Sequence, residues 1–446
     1  DGKPVTAADF VFAWRRVVDP ANASEYAFIM FGIENAEAIV DGRLPPDALG
    51  VRAATPRRLE VRFERPIAYF DRLVAFVTFN PLREDFYTQH AGRYGADAED
   101  LLFNGPFVIT EWAHGQRLRL RKNPEYWERD RIWLNGIHWD YITSDGGAVL
   151  NLFKDDRIAV AGLDSETMKN ALEQRWRIRR FDDGSVWYME FNFREGRITR
   201  NWHLRHALAL TFDTYEYINR VIAIPGYRPG KTIFPAWLQG QHGLLRAEIP
   251  PPEPKVDLEA AREHLALAKA ELGLEVLPPL VLLTDDSPTA SKSAEYLQSL
   301  WRDTLGLDVR IDKQIFKQRL AKMTSGDFDL VAAGWGPDYD DPLTFGDLFA
   351  SWNLNNRGRY ENDALDACVR RAQNSVDPAE RVAAFGCIQH ELITDHGILP
   401  THERAQIYVI HPQLRDYVRD VSRDGWAARA WIDAPAAAPV ATAEAR

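Results

Sequence analysis

Asp327-Phe-Asp-Leu-Val-Ala-Ala-Gly-Trp-Gly-Pro-Asp-Tyr-Asp-Asp-Pro342 is the stretch that decides how this chain reads. Phe328, Leu330 and Ala332 alternate with Asp329, Val331 and Ala333, the pattern of a short buried strand. It runs into Gly334-Trp335-Gly336-Pro337-Asp338. Glycines on both sides of Trp335 predict a sharp turn whose backbone groups another chain can reach. The indole supplies an apolar wall, and Asp338 supplies one negative charge just past the strand. Such a set suits an extended ligand with a positively charged end better than it suits bond-breaking chemistry.

Working outward, 446 residues are too many for one core, so two or three domains are expected. Apolar content of 46% and charged content of 27% are ordinary for a globular protein. The net charge of −11 argues against a nucleic-acid partner, whose phosphates require a basic face. Fourteen tryptophans favour aromatic-lined clefts, although much of that area must fill cores. No run approaches the ~18 apolar residues of a membrane span. The opening Asp1-Gly-Lys-Pro4 reads as a turn inside a fold, so an N-terminal segment carrying any export signal is expected upstream. The Ala/Pro-rich tail, residues 435–446, is expected to be disordered.

Before residue 185 the pattern is a capped helix and two hairpins. Thr6 and Asp9 form a capping box for a helix bearing Phe10, Val11, Trp14, Val17 and Val18, which stops at Asp19-Pro20. Residues 50–63 read as one hairpin, and Phe107–Trp112 with Leu118–Leu120 as another. After 185 strands and helices alternate: a strand at Trp187–Phe193, helices at 202–212, 257–272 and 291–305, and strands at 280–283 and 307–311. A short helix from Phe316 then leads to the opening strand. Such alternation predicts an α/β fold with a partly parallel sheet. Helices at 363–374 and 378–393 carry Cys368 and Cys387, which can face each other across the hairpin. Two buried thiols are the ordinary reading; a disulfide would indicate an oxidising compartment.

Catalytic signatures are missing. There is no Gly-x-Ser-x-Gly elbow, phosphate loop or dinucleotide fingerprint. His402-Glu403 lacks the second histidine of a metalloprotease, and His390, His396 and His402 straddle a helix end and a strand. Asp338, Asp340 and Asp341 lack the glycine and later glutamate of a calcium loop. No cofactor and no metal are expected. Paired carboxylates of a glycosidase leave no linear signature, so an aromatic-cleft hydrolase remains an alternative.

Four ordered motifs carry a resemblance. Asp1-Gly-Lys-Pro-Val-Thr-Ala-Ala-Asp-Phe-Val-Phe-Ala-Trp-Arg-Arg16 is the first, and Asn104-Gly-Pro-Phe-Val-Ile-Thr-Glu-Trp112 with Lys122-Asn-Pro-Glu-Tyr-Trp127 the second. Leu204-Arg-His-Ala-Leu-Ala-Leu210 with Asp213, and Gly334-Trp-Gly-Pro-Asp338 with Pro342, complete the set. Together they resemble the periplasmic oligopeptide-binding proteins of ABC transporters, over residues 1 to about 433. The resemblance implies a two-lobed periplasmic-binding-protein fold of the cluster C type with an additional small α+β domain. The small domain is expected at 1–82, lobe I at 83–184 and 406–434, and lobe II at 185–405. It also implies a monomer outside the cytoplasm, periplasmic or lipid-anchored, that hands short peptides to membrane permease subunits.

Site residues follow from the same resemblance. A peptide is expected to lie extended between the lobes, held by its main chain. Asp338 matches the aspartate that receives the peptide's α-ammonium. Gly334 and Gly336 match positions whose backbone meets the peptide, Trp335 matches a side-chain pocket wall, and Phe316 falls where relatives carry a pocket tryptophan. Tyr188, Glu190 and Asn192 match the strand crossing between lobes, with Glu190 read as structural. Ala332 and Ala290 stand where some relatives carry an arginine and a histidine for the peptide carboxylate. Arg404 replaces a tyrosine and is expected to take over part of that anchoring. Binders of murein peptides, nickel chelates or oligosaccharides are the alternatives on the same fold.

Overall fold

The computed structural model of the chain describes residues 2–420 and 423–433. The tail expected to be disordered lies outside them. Two compact units divide the chain. Unit 1 comprises Asp1–Pro4, Glu84–Asp183 and the segment from Gln406; unit 2 comprises Val5–Arg83 and Gly184–Ala405.

In chain order the strands are β1 (Val51–Thr55), β2 (Arg58–Val61), β3 (Phe107–Ala113), β4 (Arg117–Lys122), β5 (Gly136–Trp139) and β6 (Val160–Leu163). They continue as β7 (Ile178–Phe191), β8 (Arg228–Pro229), β9 (Leu280–Asp285), β10 (Val309–Gln314), β11 (Leu330–Trp335) and β12 (Ile398–Ile410). In unit 1, β3, β4 and β5 form an antiparallel sheet, and β6 pairs with the last residues of β12. The third strand, β5, was not foreseen, because Gly136-Ile-His-Trp139 is too short to show alternation.

Unit 2 holds the larger sheet, in the order β10-β9-β11-β7-β12, with β8 beside the start of β12. β10, β9 and β11 run parallel, and β11 meets β7 antiparallel. This is the partly parallel sheet expected from the alternating pattern. The crossovers are helices whose ends are written in the sequence. Ser287 accepts from the Ala290 amide and Pro288 opens helix Pro288–Leu305, which stops at Gly306 with φ +67°. Gly273 closes helix Leu258–Leu272 in the same way. Trp301 and Leu297 on the first of these helices are buried, as are Leu282 and Leu283 of β9 and Leu330 and Val331 of β11.

The first helix, Ala7–Val18, has its capping box: the Asp9 carboxylate accepts from the Thr6 amide at 2.6 Å. Trp14 on its buried face donates its indole N–H to the Phe79 carbonyl at 3.0 Å. Cys368 and Cys387 are joined in a disulfide between helices Asp363–Asn374 and Pro378–Thr394, with Cα atoms 5.8 Å apart. The reading as two thiols gives way to the alternative. A bridge of this span fits an oxidising compartment.

Candidate ligand-binding site

The strand at the opening motif reaches further than its pattern suggested. β11 continues through Gly334 and Trp335, which pair with Trp187 and Val186 of β7. Antiparallel pairing holds the indole at the end of a sheet strand instead of on a turn. A Cβ at Gly334 would lie 2.7 Å from ring carbons of Trp187, so glycine is needed there for close approach of that ring. Gly336 is looser: a Cβ would come no closer than 3.4 Å to Ser185 Oγ.

Just beyond the strand, Asp338 meets Tyr26. The Tyr26 hydroxyl donates to Asp338 Oδ1 at 3.5 Å, and the Tyr26 ring stacks on Trp335 with centroids 6.4 Å apart and planes at 21°. Phe28 and Phe76 flank Tyr26 at 5.9 and 5.4 Å. The Asp338 carboxylate caps no helix among the described residues. Its backbone N–H donates to Thr344 Oγ1, and the next helix, Leu343–Gly346, begins after Pro342.

Burial pushes the Asp338 carboxyl up to about 7, against the smaller lowering effect of the Tyr26 hydroxyl. No described cation offsets that burial. Arg357, which acts on Tyr26, is already paired with Glu25 at 2.9 Å and donates to Thr324. Two further acids lie close by. Asp347 is buried and raised to about 8, first by desolvation and then by Asp338 and Asp341. Asp341 itself is satisfied by a two-pronged Arg381 at 2.7 and 2.9 Å. The site is therefore a half-buried acid in an aromatic wall, with its counter-charge missing among the described residues.

The remaining expected residues separate into two groups. Arg404 of β12 lies over the Trp187 ring at 5.4 Å, close to Gly334 through that ring. Tyr188, the neighbour of Trp187, is buried edge-on against Phe349 at 5.2 Å. Asn192 is turned to other work. It is fully buried, its amide donates to the Gly326 and Phe328 carbonyls, and its oxygen accepts from Arg194. That makes it a staple between β7 and the approach to β11. Glu190 is buried with its carboxylate on the Gly358 amide and is raised to about 7 by desolvation. Phe316 opens helix Phe316–Ser325, 63% exposed, with Arg319 beneath its ring at 5.5 Å.

Three contributors were missed in the sequence. Tyr26 is 312 residues from Asp338 and sits in irregular structure, so no periodicity marks it. Trp187 was read only as the start of a strand. Arg319 is buried, donates to the Ala332 carbonyl at 2.6 Å and pairs with Asp285 at 3.1 Å, tying helix Phe316–Ser325 to β11 and β9. A charged residue on the inner face of a short amphipathic helix was its one available signal.

Comparison with known proteins gives the fold its family. Residues 1–356 match the profile of the bacterial extracellular solute-binding proteins, family 5. The chain belongs to family 5. Among its family 5 relatives, the Bacillus subtilis dipeptide-binding protein DppE is 27% identical over 423 residues, covering 94% of this chain and 76% of the relative. The Escherichia coli periplasmic murein peptide-binding protein MppA is 28% identical over 425 residues, with 94% and 77% covered. The substrate-binding domain of an oligopeptide ABC transporter from Bacillus anthracis superposes with a TM-score of 0.89 at 30% identity, covering 97% of this chain and 84% of that one. Listeria monocytogenes OppA bound to peptide gives 0.89 at 28%, with 97% and 85% covered. The two-lobed α/β family 5 fold expected from the four motifs is borne out. Family 5 is a family of extracellular solute-binding proteins, and no helix among the described residues is long and apolar enough to cross a membrane.

Proposed function

We propose that this protein captures short peptides in extended conformation, outside the cytoplasm, and delivers them to the permease of an ABC transporter. It does so as a monomer and without catalysis. The observation that carries the reading is Asp338, a partly buried carboxylate at the end of β11 whose charge no described cation offsets. A peptide's α-ammonium supplies that charge, and Tyr26 and Trp335 wall the first residue. Relatives named for dipeptides, oligopeptides and murein peptides support the same chemistry. A sugar brings no cation to Asp338, which ranks oligosaccharides below peptides.

The test is retention of a defined peptide mixture, followed by mass spectrometry of what elutes on unfolding. Intact peptides with free amino termini are the expected result. Cleaved products, or retention of N-blocked peptides alone, would contradict the reading. Arg404, held over Trp187, is proposed to attract the far carboxylate of the peptide. Arg404→Ala is then expected to weaken free-acid peptides about tenfold while changing their C-terminal amides little, as titration calorimetry would show. Equal losses for the two would reject that role.

A further inference from the structure

Unit 2 also encloses a cavity of about 150 Å³ beside Ala332 of β11, between β7, β9, β12 and helix Pro288–Leu305. One side of it is a stack of rings. Trp187 lies parallel to His402 at 5.7 Å and 6°, and His402 lies against Tyr227 at 5.2 Å and 29°. Burial, with Arg404 nearby, lowers His402 to about 3, so the stack is uncharged at neutral pH. Ala290 and Ala332 contribute only methyl groups to the lining, and this is what leaves the space open. A void of this volume is the size that accepts a benzene ring.

Two polar atoms at the cavity are unspent. Thr284 is 1% exposed and its Oγ1 has no hydrogen-bond partner among the described residues; Trp187 Nε1 is buried and equally unpartnered. Buried polar groups seldom stay so, and each calls for an atom from a ligand or a water. Other lining groups are engaged. The Tyr217 hydroxyl donates to Ser293, and Asp285 is paired with Arg319. The lining carries both Asp285 and Arg404, so a charged side chain of either sign would meet a like charge as well as an opposite one. The chemistry left over is a flat neutral ring bearing one group that can both accept and donate a hydrogen bond.

We propose that this cavity is a specificity pocket for a phenolic side chain, so that the peptides preferred by this protein carry tyrosine at one fixed position in from the amino terminus. The assignment rests on the peptide-binding reading above. Trp187 and Thr284 set the preference: the ring stack takes the aromatic face, and the two unpartnered atoms take the hydroxyl.

The experiment is calorimetric titration of the intact protein with alanine tetrapeptides carrying Tyr, Phe, Glu, Lys or Ala at positions 2, 3 and 4 in turn. At one position Tyr is expected to bind at least 30-fold tighter than Ala and about fivefold tighter than Phe, with Glu and Lys no better than Ala. Thr284→Val, close in shape, is expected to remove the Tyr-over-Phe margin. Ala290→Leu, which fills the void, is expected to remove the gain from either ring. Equal affinities across the set, preference for a charged residue, or a Tyr preference indifferent to both variants would overturn the pocket assignment alone. Failure of every peptide to bind would overturn the functional reading on which it stands.

Discussion

Asp338→Asn is expected to weaken a free-amine peptide by about 2–5 kcal/mol, roughly thirtyfold to several thousandfold in Kd. The size follows from where the carboxylate sits. It is half-buried, carries no described counter-ion and has only a 3.5 Å hydrogen bond from Tyr26. A ligand ammonium there gains an attraction little screened by solvent, and losing one partner leaves the other buried and unpaired. Asparagine keeps the shape and removes the charge. Calorimetric titration measures the loss; a change below threefold would deny Asp338 its role. Tyr26→Phe, which keeps the ring wall and removes the weak hydrogen bond, is expected to lose far less.

The same substitution is expected to make the empty protein more stable at alkaline pH, the opposite of its effect on binding. An unfolded aspartate titrates near 3.9, whereas folded Asp338 titrates at about 7. The unfolded chain therefore sheds this proton first as pH rises. Stability from the protonated form is complete below pH ~4 and is lost between about 4 and 7, with a total on the order of 4 kcal/mol. Asparagine cannot ionise, so its advantage is absent at pH 4 and reaches its plateau above 7. Relief of the repulsion on Asp347 adds to it in the same direction. Calorimetric melting of the ligand-free proteins at pH 4 and pH 8 reads this as a gain of several degrees at pH 8 alone. An equal difference at both pH values would contradict it. Binding follows the same titration: wild-type affinity is expected to fall about tenfold per pH unit below 7, as Asp338 takes up its proton. It weakens again above about 8, where the peptide's amino group loses its own.

Much of unit 2 was legible because local rules agree with its tertiary structure. Gly273 ends one crossover helix where capping chemistry puts it, whereas the helix expected to start at Ser291 begins three residues earlier, at Pro288 behind the Ser287 cap. The alternation from Phe328 to Ala333 marked β11 but not its extent. Strand pairing with β7 overrides the turn tendency of Gly334, and that glycine answers to the Trp187 ring, a contact across the sheet that local sequence cannot contain. Asp338 stood out as a charge next to an apolar strand. Tyr26, which completes its surroundings, comes from a segment that packs there only through the fold of residues 5–83 with 184–405. Asn192 illustrates the converse. A polar residue on a predicted strand can serve a ligand or a neighbouring backbone, and its hydrogen bonds to Gly326 and Phe328 give it to the backbone.

A double-mutant cycle asks most directly whether Asp338 receives an amino terminus. One tetrapeptide and its N-acetyl twin are titrated into wild-type protein and into Asp338→Asn at pH 7.5. If carboxylate and ammonium meet, acetylation is costly for wild type and nearly silent for the variant, leaving a coupling of about 2 kcal/mol or more. Additive losses, with acetylation equally damaging to both proteins, would mean that the peptide's charged end is held somewhere else.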